Sequence, residues 1–333
     1  MRLAARLRLG VSGWVLAALA VLAVCAPLLA NDRPLLVWHQ GRPWFPMAVD
    51  YAETWFTGPQ GLPSVADFRD PAVMSAIRDG GGWVIGAPIR FSYDTINYDL
   101  AAASPAPPSR ANWLGTDDMG RDVAARLLYG LRLSLAFGLL LTGLSAALGI
   151  AAGAAQGYFG GWLDLAGQRI LEVWSGMPQL FILIIVAGVV EPSFWSLLLV
   201  MLLFSWTSLV GVVRAEFLKV RQAEYVMAAR ALGVGRLAIM TRHILPNACV
   251  AAGAYLPFLL CSSIVSLTAL DYLGLGLPSG SASLGDVIRQ GKENLHAPWL
   301  GLSAFALMTV LLTCLVFAGD AARKALDPRG RRS

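Results

Sequence analysis

The sequence is poor in charged residues, and that shortage decides its class. Only 14% of its 333 residues are Asp, Glu, Lys or Arg, whereas 56% are hydrophobic and the mean hydropathy is +0.61. A soluble domain has about 25% charged and about 45–50% apolar residues. Because one soluble core does not accommodate this apolar excess, the composition excludes a soluble enzyme, a disordered scaffold and a secreted disulfide domain. It predicts an integral membrane protein whose surplus apolar surface faces lipid.

Cysteine and histidine are also scarce, and neither is spaced for chemistry. The four cysteines lie inside apolar runs with no paired spacing, which is typical of small core residues. The three histidines lie far apart and lack the spacing of metal ligands. The sequence contains no phosphate-binding loop and no G-x-S-x-G elbow. We therefore predict no catalytic, metal-binding or cofactor-binding residues, and we expect any energy source to lie in a partner protein.

Six apolar runs approach the length of about 20 residues that crosses a bilayer. None has a charge near its centre, which disfavours an ion-coupled pump because intramembrane charges mark ion and proton pathways. The second run is rich in glycine and alanine, a composition that favours close helix contacts inside a bundle. The six candidate spans are 11–30, 132–155, 170–190, 194–213, 248–270 and 299–318.

The distribution of Lys and Arg predicts the orientation of these spans. The net charge is +5, but the basic residues are spread over short loops beside apolar runs, which indicates topology rather than nucleic acid binding. Most of them lie on the cytoplasmic side if the N-terminus is inside, so we expect cytoplasmic termini and one large external loop. The alternative for residues 11–30 is a cleaved signal peptide, which the poor cleavage site at Leu28-Leu29-Ala30 disfavours.

The predicted external loop covers residues 31–127 and is too long for a simple turn. It is rich in aromatic residues and contains a proline-rich stretch at 104–109 that we expect to be extended. One interpretation is an irregular cap over the outer mouth of the bundle. The other is a surface that docks a partner or contacts substrate. Composition leaves both interpretations open.

The predicted cytoplasmic loop 214–247 contains two short amphipathic patterns. Apolar residues recur at the spacing of a helix face, first on one side of Gly233 and then on the other. We expect Gly233 to end the first helix and Pro246 to end the second. Helices of this kind either rest on the lipid surface or fit the groove of a partner protein. The first face is Tyr225, Ala228, Ala229 and Leu232, and the second is Leu237, Met240 and Ile244.

This loop resembles the EAA loop of ABC-importer permeases. The shared features are Ala228-Ala229, then Gly233 after three residues, then Leu245-Pro246. Other blocks are similar to the dipeptide and oligopeptide branch of the family, and together they extend over about residues 112–327. These blocks are Tyr225–Gly233, Arg242–Asn247, Leu114–Asp117 with Gly120–Asp122, Leu273–Gly276 and Ala297–Leu300. The aromatic stretch Phe91–Leu100 resembles the microcin C and related peptide permeases.

The sequence departs from the family pattern at three positions. Met227 replaces the glutamate that names the EAA motif. Glu172 stands where much of the family has aspartate, which retains the charge. Asp271 is the nearest candidate for an acidic residue that the family carries shortly before its Leu-Gly-Leu-Gly segment.

The resemblance implies an all-α integral membrane protein with the six-helix bundle of type I ABC-importer permeases. It divides the chain into an N-terminal tip and first helix at 1–30, a periplasmic loop at 31–127, and a five-helix core at 128–333 that contains the coupling loop. The implied partners are a second homologous permease, two ATP-binding subunits and a periplasmic peptide-binding protein. The implied location is the bacterial inner membrane.

The resemblance also assigns two sets of site residues. The implied function is import of peptides or peptide-like compounds by alternating access, driven by ATP hydrolysis in the partners. The rival is a self-sufficient secondary transporter of small solutes, which predicts intramembrane acids and internal repeats that are not found here. The ATPase-coupling set is Tyr225, Ala228, Ala229, Arg230, Gly233, Arg242, His243, Leu245 and Pro246, and the periplasmic gate or lip set is Gly115, Asp117, Gly120, Arg121 and Asp122.

Overall fold

The computed structural model is mostly helical and describes residues 2–100, 102–278 and 280–326, with side chains except at 2–10, 60 and 325–326. In this part of the chain, four helical stretches are long and apolar enough to cross a membrane, or five if one bent pair counts as a single span. The prediction of a helical, multi-pass membrane protein is therefore confirmed. The four stretches are Val123–Phe159, Phe194–Val220, Arg236–Tyr272 and Pro298–Lys324.

The helices and strands follow one another in a fixed order along the chain. They are α1 Arg2–Val24, α2 Ala26–Leu29, β1 Leu36–His39, β2 Arg42–Trp44, α3 Thr54–Thr57, α4 Pro71–Asp79, β3 Trp83–Ile85, α5 Val123–Phe159, α6 Gly161–Ser175, α7 Gln179–Ala187, α8 Phe194–Ser205, α9 Thr207–Val220, α10 Glu224–Ala231, α11 Arg236–Ala238, α12 Leu245–Tyr272, α13 Leu284–Glu293 and α14 Pro298–Leu326. A 3₁₀ turn at Gly58–Gln60 follows α3, and a π-helical segment at Ile239–Ile244 joins α11 to α12.

The described residues form two compact units. One consists of residues 134–278 with the beginning of α1 and the end of α14. The other consists of residues 18–133 and 279–308, so α13 belongs to the same unit as the long segment that precedes α5.

The first helix ends earlier than the sequence predicts. α1 ends at Val24, and after Cys25 the short helix α2 adds a single turn. Pro27 is tolerated in the first turn of α2, where its missing N–H breaks no bond, but it does not allow α1 to continue. Within the residues whose side chains are described, the apolar part of α1 is Val11–Val24.

The third candidate span, 170–190, is broken rather than continuous. Helices α6 and α7 are separated by three residues and bend by 67°. Pro178 is the extended N-cap residue of α7, and it has no N–H with which to continue the ladder of α6. The sequence did not predict this break, and the bent pair begins at Gly161, well before residue 170.

Helix α5 packs closely on α9 through glycines. Gly149, Gly153 and Gly157 are four residues apart and share one face of α5. A Cβ at position 153 would lie 2.7 Å from the carbonyl oxygen of Val210, and a Cβ at position 157 would lie 2.5 Å from Cβ of Phe217. The glycines therefore allow the close helix contact that the small-residue composition predicts.

The long segment, residues 31–122, is folded around a core of its own. β1 pairs antiparallel with both neighbours, so the strand order is β2-β1-β3. Gln40 and Gly41 have φ of 50° and 73°, the positive values that a two-residue type I′ hairpin requires. The buried apolar cluster of this segment is Val37, Phe56, Ala66, Phe68, Val73 and Ile77.

The long segment contains a small sheet that the expectation of an all-α protein did not include. Part of the segment is therefore regular rather than irregular. The physical reason is the alternation in β1, which buries Val37 and His39 and exposes Trp38, as a half-buried strand requires. A short strand of this kind is easily missed beside long helical runs.

Candidate functional site

Helix α10 ends at Gly233, as the sequence predicts. The N–H of Gly233 donates to the Arg230 carbonyl at 3.1 Å, and the N–H of Val234 donates to the Ala229 carbonyl at 3.1 Å. This pair of bonds is the Schellman motif, which favours glycine because its C′ residue is left-handed. Gly233 has φ of +78°, a conformation that costs other residues about 1–2 kcal/mol. Its missing Cβ would meet no atom within 4 Å, so the requirement comes from the backbone.

The apolar face predicted for α10 is mostly exposed. Tyr225 and Leu232 are 50% and 84% exposed, and Ala228 is also exposed. Val226 and Ala229 are buried instead, and Val226 packs in the core cluster that α5, α9 and α12 share. Helix α10 therefore has two apolar sides, of which only one is used by the fold.

Exposed apolar residues continue around the turn that follows α10. Leu232 and Leu237 are the most exposed, at 84% and 74%. We call this set the apolar patch. It comprises Tyr225, Met227, Leu232, Val234 and Leu237.

The second predicted helix of the loop does not end at Pro246. After α11, the π-helical segment runs directly into α12, and Pro246 lies in the first turn of α12. Proline is favoured there because the missing N–H would have no partner. The predicted stop is therefore wrong, and the wider π turn makes the transition between the two helices.

The other predicted coupling residues lie beside this transition. Tyr225 Oη accepts a hydrogen bond from Asn247 Nδ2 at 3.1 Å, which joins α10 to the first turn of α12. Asn247 Nδ2 also donates to the His243 carbonyl at 3.4 Å. Arg230, Arg242 and Pro246 are exposed, and His243 and Leu245 are half-buried.

Two arginines of the loop are held by earlier helices. Arg214 forms a bidentate pair with Asp164 at 2.5 and 2.7 Å. Arg221 Nη1 donates to the carbonyls of Gly157 and Tyr158 at 3.0 and 3.4 Å, near the C-terminal end of α5. A cation is favourable at a helix C-terminus. Both side chains fix the start of the loop to the helices beneath it.

The second predicted site is organised around Asp117. Its Oδ1 accepts from the N–H groups of Met119 and Arg121 at 3.0 and 2.8 Å, and its Oδ2 accepts from Arg121 Nε at 2.7 Å. Gly120 completes the turn with φ of +81°. Asp117 is fully buried and Arg121 is 6% exposed. A desolvated ion pair of this kind is stable only because its remaining polar atoms also have partners.

Arg126 extends this pair into a four-residue cluster. It is fully buried near the start of α5, and its Nη2 donates to Asp286 Oδ2 at 2.9 Å and to the Ser281 carbonyl at 3.1 Å. Its Nε lies 3.5 Å from Asp117 Oδ2. Asp286 also accepts from Arg289 Nη2 at 2.5 Å. We call Asp117, Arg121, Arg126 and Asp286 the buried ion cluster, which ties the Gly115–Asp122 turn to α13.

Asp122 caps the N-terminus of α5. Its Oδ1 accepts from the Ala125 N–H at 2.8 Å, and its Oδ2 accepts from Asn112 Nδ2 at 2.8 Å. Asn112 Oδ1 in turn accepts from Asn97 Nδ2 at 2.9 Å. Burial raises the pKa of the Asp122 carboxyl, while the bonds from Ala125 and Asn112 favour its charged form and limit the rise. Burial likewise raises the pKa of Asp118.

Gly115 brings the turn against the start of α14. Its φ is +74°, and a Cβ there would lie 2.7 Å from both the Ala106 carbonyl oxygen and Trp299 Nε1. Trp299 Nε1 donates to the Thr116 carbonyl at 3.3 Å. Two blocks that are far apart in the sequence, Leu114–Asp117 and Ala297–Leu300, are therefore packed together.

Asp271 closes the turn that follows α12. Its Oδ1 accepts from the Leu277 N–H at 2.8 Å, so the Leu273–Gly276 turn wraps around a buried carboxylate. This contact gives Asp271 a structural role in the Leu-Gly-Leu-Gly segment.

Sequence reasoning identified Asp117, Arg121 and Asp122 but missed Arg126 and Asp286. The available signals were an arginine at the beginning of a long apolar helix, and an acid in the first turn after Ser283. Neither pattern indicates that Arg126 and Asp286 pair with each other. Their pairing over 160 residues is a tertiary contact.

Comparison with protein families gives a match over residues 145–332. The family is described as "Binding-protein-dependent transport system inner membrane component". The match covers more than half of the chain and includes the loop that carries Gly233 and the apolar patch.

Two curated relatives are similar over almost the whole chain. The inner membrane ABC transporter permease protein YejE of Escherichia coli K12 is 54% identical over 315 residues, which are 95% of this chain and 92% of the relative. The peptidoglycan transport system permease protein YejE of Agrobacterium fabrum is 48% identical over 342 residues, covering 96% of this chain and 89% of the relative. The similarity therefore includes the long segment as well as the helical core.

A solved structure has a related fold. The inward-facing MetNI methionine ABC transporter aligns with a TM-score of 0.50 and 16% identity, over 61% of this chain and 96% of that chain. Members of the family work with ATP-binding subunits and a substrate-binding protein, so ATP hydrolysis belongs to the partners and this chain is not itself an enzyme. The chain belongs to the family of inner membrane components of binding-protein-dependent transport systems, and it is a permease subunit of an ABC importer.

Proposed function

We propose that this permease imports peptides or peptide-like compounds across the bacterial inner membrane. One nearly full-length relative is named for peptidoglycan transport, and others at 32% and 31% identity are named as peptide and oligopeptide permeases. Peptide bonds are the chemistry that these cargo classes share. Resemblance to the microcin C branch extends the class to peptide conjugates.

The proposed topology has six spans with both termini in the cytoplasm. The tip and first helix occupy 1–30, a periplasmic segment occupies 31–127, and the permease core occupies 128–333, with the bent pair α6 and α7 as one span. In each of the four long stretches, only 28–39% of the most apolar part is buried within this chain. That leaves apolar surface for lipid and for a second homologous permease, with two ATP-binding subunits completing the membrane complex.

The observation that carries the coupling proposal is the apolar patch. Its members lie on a loop between long spans, yet the fold leaves Leu232 and Leu237 exposed while Val226 beside them is completely buried. Burying a leucine side chain stabilises a complex by about 1.5–3 kcal/mol. A short helix with such a face fits the groove of a partner, and the proposed occupant is the ATP-binding subunit.

The contacts beneath the patch supply a route for its motion. Val226 packs in the core cluster with α9 and α12, Tyr225 is bonded to Asn247 of α12, and Arg221 is bonded to the end of α5. A displacement of α10 by the ATP-binding subunit would therefore move three long helices together. The bundle would switch between inward-open and outward-open states by such a rigid-body shift.

The proposed periplasmic lip consists of Gly115, Asp117, Gly120, Arg121 and Asp122. The buried ion cluster makes this turn, the start of α5 and α13 a single bonded unit. The proposed lip would remain intact while the helices of the bundle rearrange.

Gly233→Asp tests the coupling proposal. The substitution places a strained residue and a carboxylate at the end of α10, so we expect normal membrane insertion but loss of the ATP-binding subunit and of uptake. Gly235→Asp is the matched control, because Gly235 has an ordinary φ of −61° and no atom within 4 Å of its missing Cβ. The measurements are co-purification of the ATP-binding subunit and uptake of a radiolabelled tripeptide.

Two outcomes would contradict the proposal. Normal co-purification and uptake in Gly233→Asp would remove the coupling role of the loop. Equal losses in Gly235→Asp would show that charge alone acts there, as expected for a helix resting on anionic lipid. Arg236→Ala is a suitable exposed-charge control, whereas Arg221→Ala is not, since Arg221 holds the end of α5.

A further inference from the structure

The long segment carries a cleft of about 770 Å³ that the two sites above do not use. Its walls come from residues 67–78, which include α4, and from the 90–99 stretch. Small-molecule sites typically measure about 300–1,000 Å³. The cleft is therefore large enough for a ligand of several residues, and it lies within one compact unit.

Charges of both signs line the cleft, and half of them are already used by the fold. Arg69 Nη1 donates to the Ile96 carbonyl at 3.2 Å and its Nε lies 3.5 Å from Asp67. Asp70 caps α4 by accepting from the Ala72 N–H at 2.8 Å. These three charged residues of the cleft hold its two walls in place.

The other three charged residues are available to a ligand. Among the described residues, Arg78, Arg90 and Asp99 form no ion pair, and all three are exposed. The Arg78 side chain makes a single hydrogen bond, from Nε to the Met74 carbonyl at 3.3 Å, so its two terminal nitrogens remain free to donate. The cleft thus presents two guanidinium groups and one carboxylate together.

Apolar and aromatic side chains form the rest of the lining. Phe68 and Phe91 contribute ring surface, Met74 lies between Asp70 and Arg78 on α4, and Tyr98 is 81% exposed. An exposed tyrosine beside a charged cleft offers both a flat apolar face and a hydroxyl group.

We propose that this cleft, which lies within the long segment, binds short peptides with free termini. Arg78 and Arg90 would take the terminal carboxylate, because guanidinium groups bind carboxylates with paired hydrogen bonds. Asp99 would take the terminal ammonium group, and Tyr98, Phe91 and Met74 would contact side chains. The peptide class rests on the function proposed above. The cleft's combination of both charge signs with apolar surface matches a zwitterion better than a simple anion.

Binding to the importer complex without its substrate-binding protein tests this inference. The complex in nanodiscs would be titrated calorimetrically with the tripeptide Ala-Phe-Ala, its C-terminal amide and its N-acetyl form. We expect Arg78→Gln with Arg90→Gln to weaken binding of the free tripeptide at least tenfold, and the amide to bind the unchanged complex equally weakly. Asp99→Asn should remove the preference for the free tripeptide over its N-acetyl form. Arg42→Gln is the matched control, an exposed arginine on β2 outside the cleft.

Three results would overturn the inference. The first is equal titration curves for the unchanged complex and the double variant. The second is equal affinity of the unchanged complex for the free acid and the amide. The third is a double variant that binds the tripeptide normally but no longer docks the binding protein. The last result would make the cleft a protein-docking surface instead. ATP-driven uptake of the same tripeptide, with binding protein present, is the independent readout of the proposed function. Intact uptake with no cleft binding would refute only this inference.

Discussion

The buried ion cluster and the apolar patch place charged and apolar side chains in opposite environments. The ion cluster buries charge, with Asp117 and Arg126 fully inaccessible, and finds its partners inside the chain. The apolar patch exposes hydrophobic side chains, with Leu232 84% accessible. The ion cluster would be unstable without its partners in the same chain. The apolar patch, in contrast, has apolar surface that this chain does not cover.

This contrast separates what each region needs. A buried charge is costly unless it is paired, and the charged partners of the ion cluster all lie within one chain. The pairing is incomplete at Arg126, whose Nε and Nη1 have no hydrogen-bond partner among the described residues. Exposed apolar surface is tolerated by a folded chain but gains free energy when another protein covers it. Mutations in the ion cluster should therefore act on stability, and mutations in the patch should act on assembly.

Arg126→Met should have the largest effect on stability. The substitution replaces the buried guanidinium group by an apolar side chain of similar length, so Asp117 and Asp286 each lose one partner. Removing one partner of a buried ion pair costs about 3–5 kcal/mol. We expect a severe loss of monodisperse protein and a lower melting temperature in detergent. Arg289→Met is the control, because Arg289 is a partly exposed partner of Asp286 and such pairs contribute about 0–1 kcal/mol. Similar melting temperatures for the two variants would remove the distinction between buried and exposed pairs.

Gly115→Ala should have the next largest effect. The new Cβ would overlap the Ala106 carbonyl and Trp299 Nε1, and overpacking of this kind costs about 1–3 kcal/mol beyond the backbone strain. Gly41→Ala measures the backbone strain alone, since Gly41 has nearly the same φ, +73°, but no atom within 4 Å of its missing Cβ. Thermal unfolding of both variants measures the difference. If they melt together, packing of the turn against Trp299 contributes nothing.

Arg221→Ala should have an intermediate effect at the base of the loop. Its guanidinium donates to two carbonyls at the end of α5, and a charged hydrogen bond of this kind contributes about 1.5 kcal/mol. Arg236→Ala removes an exposed arginine with no such bond and should change stability by less than about 0.5 kcal/mol. Melting temperatures provide the test, and equal values would mean that Arg221 is no more structural than Arg236.

Leu232→Ser should have the smallest effect on stability and a clear effect on assembly. Leu232 is almost fully exposed, so unfolding should change by less than about 0.5 kcal/mol while co-purification of the ATP-binding subunit falls. Val226→Ser is the matched comparison, because it places a hydroxyl at a completely buried position of the same helix and should lower the melting temperature. Undiminished co-purification with Leu232→Ser would show that the patch is not an interface.

The parts of the fold that follow from local chemistry could be predicted from the sequence. The long apolar runs predicted the helical stretches, and Gly233 predicted the end of α10, since only glycine takes a left-handed conformation without strain. The predicted break was wrong at Pro246, because proline ends a helix only from inside it and is favoured in the first turn. The same rule applied to Pro178 would have predicted the bend between α6 and α7.

The candidate sites divide in the same way. The turn from Gly115 to Asp122 was recognisable because its glycines and aspartates belong to one short block. Its partners Asp286 and Trp299 were not, because packing brings them to the turn from helices that start far away in the sequence. Arg126 lies only four residues after Asp122, but its pairing with Asp286 spans 160 residues. For α10, the helical spacing indicated an apolar face, but burial of Val226 rather than Tyr225 depends on which side meets α9 and α12.

The sequence by itself determined that this is a helical membrane protein with a loop helix that ends at a glycine, because hydropathy and backbone conformation are properties of residues and their near neighbours. The permease family followed from the resemblance of several short sequence blocks. Tertiary structure alone decided which charges are paired in the ion cluster, which face of α10 remains exposed, and that the long segment folds around a small sheet with a charged cleft. Those features depend on contacts between distant residues, and the free energy of such contacts arises only once the chain has folded.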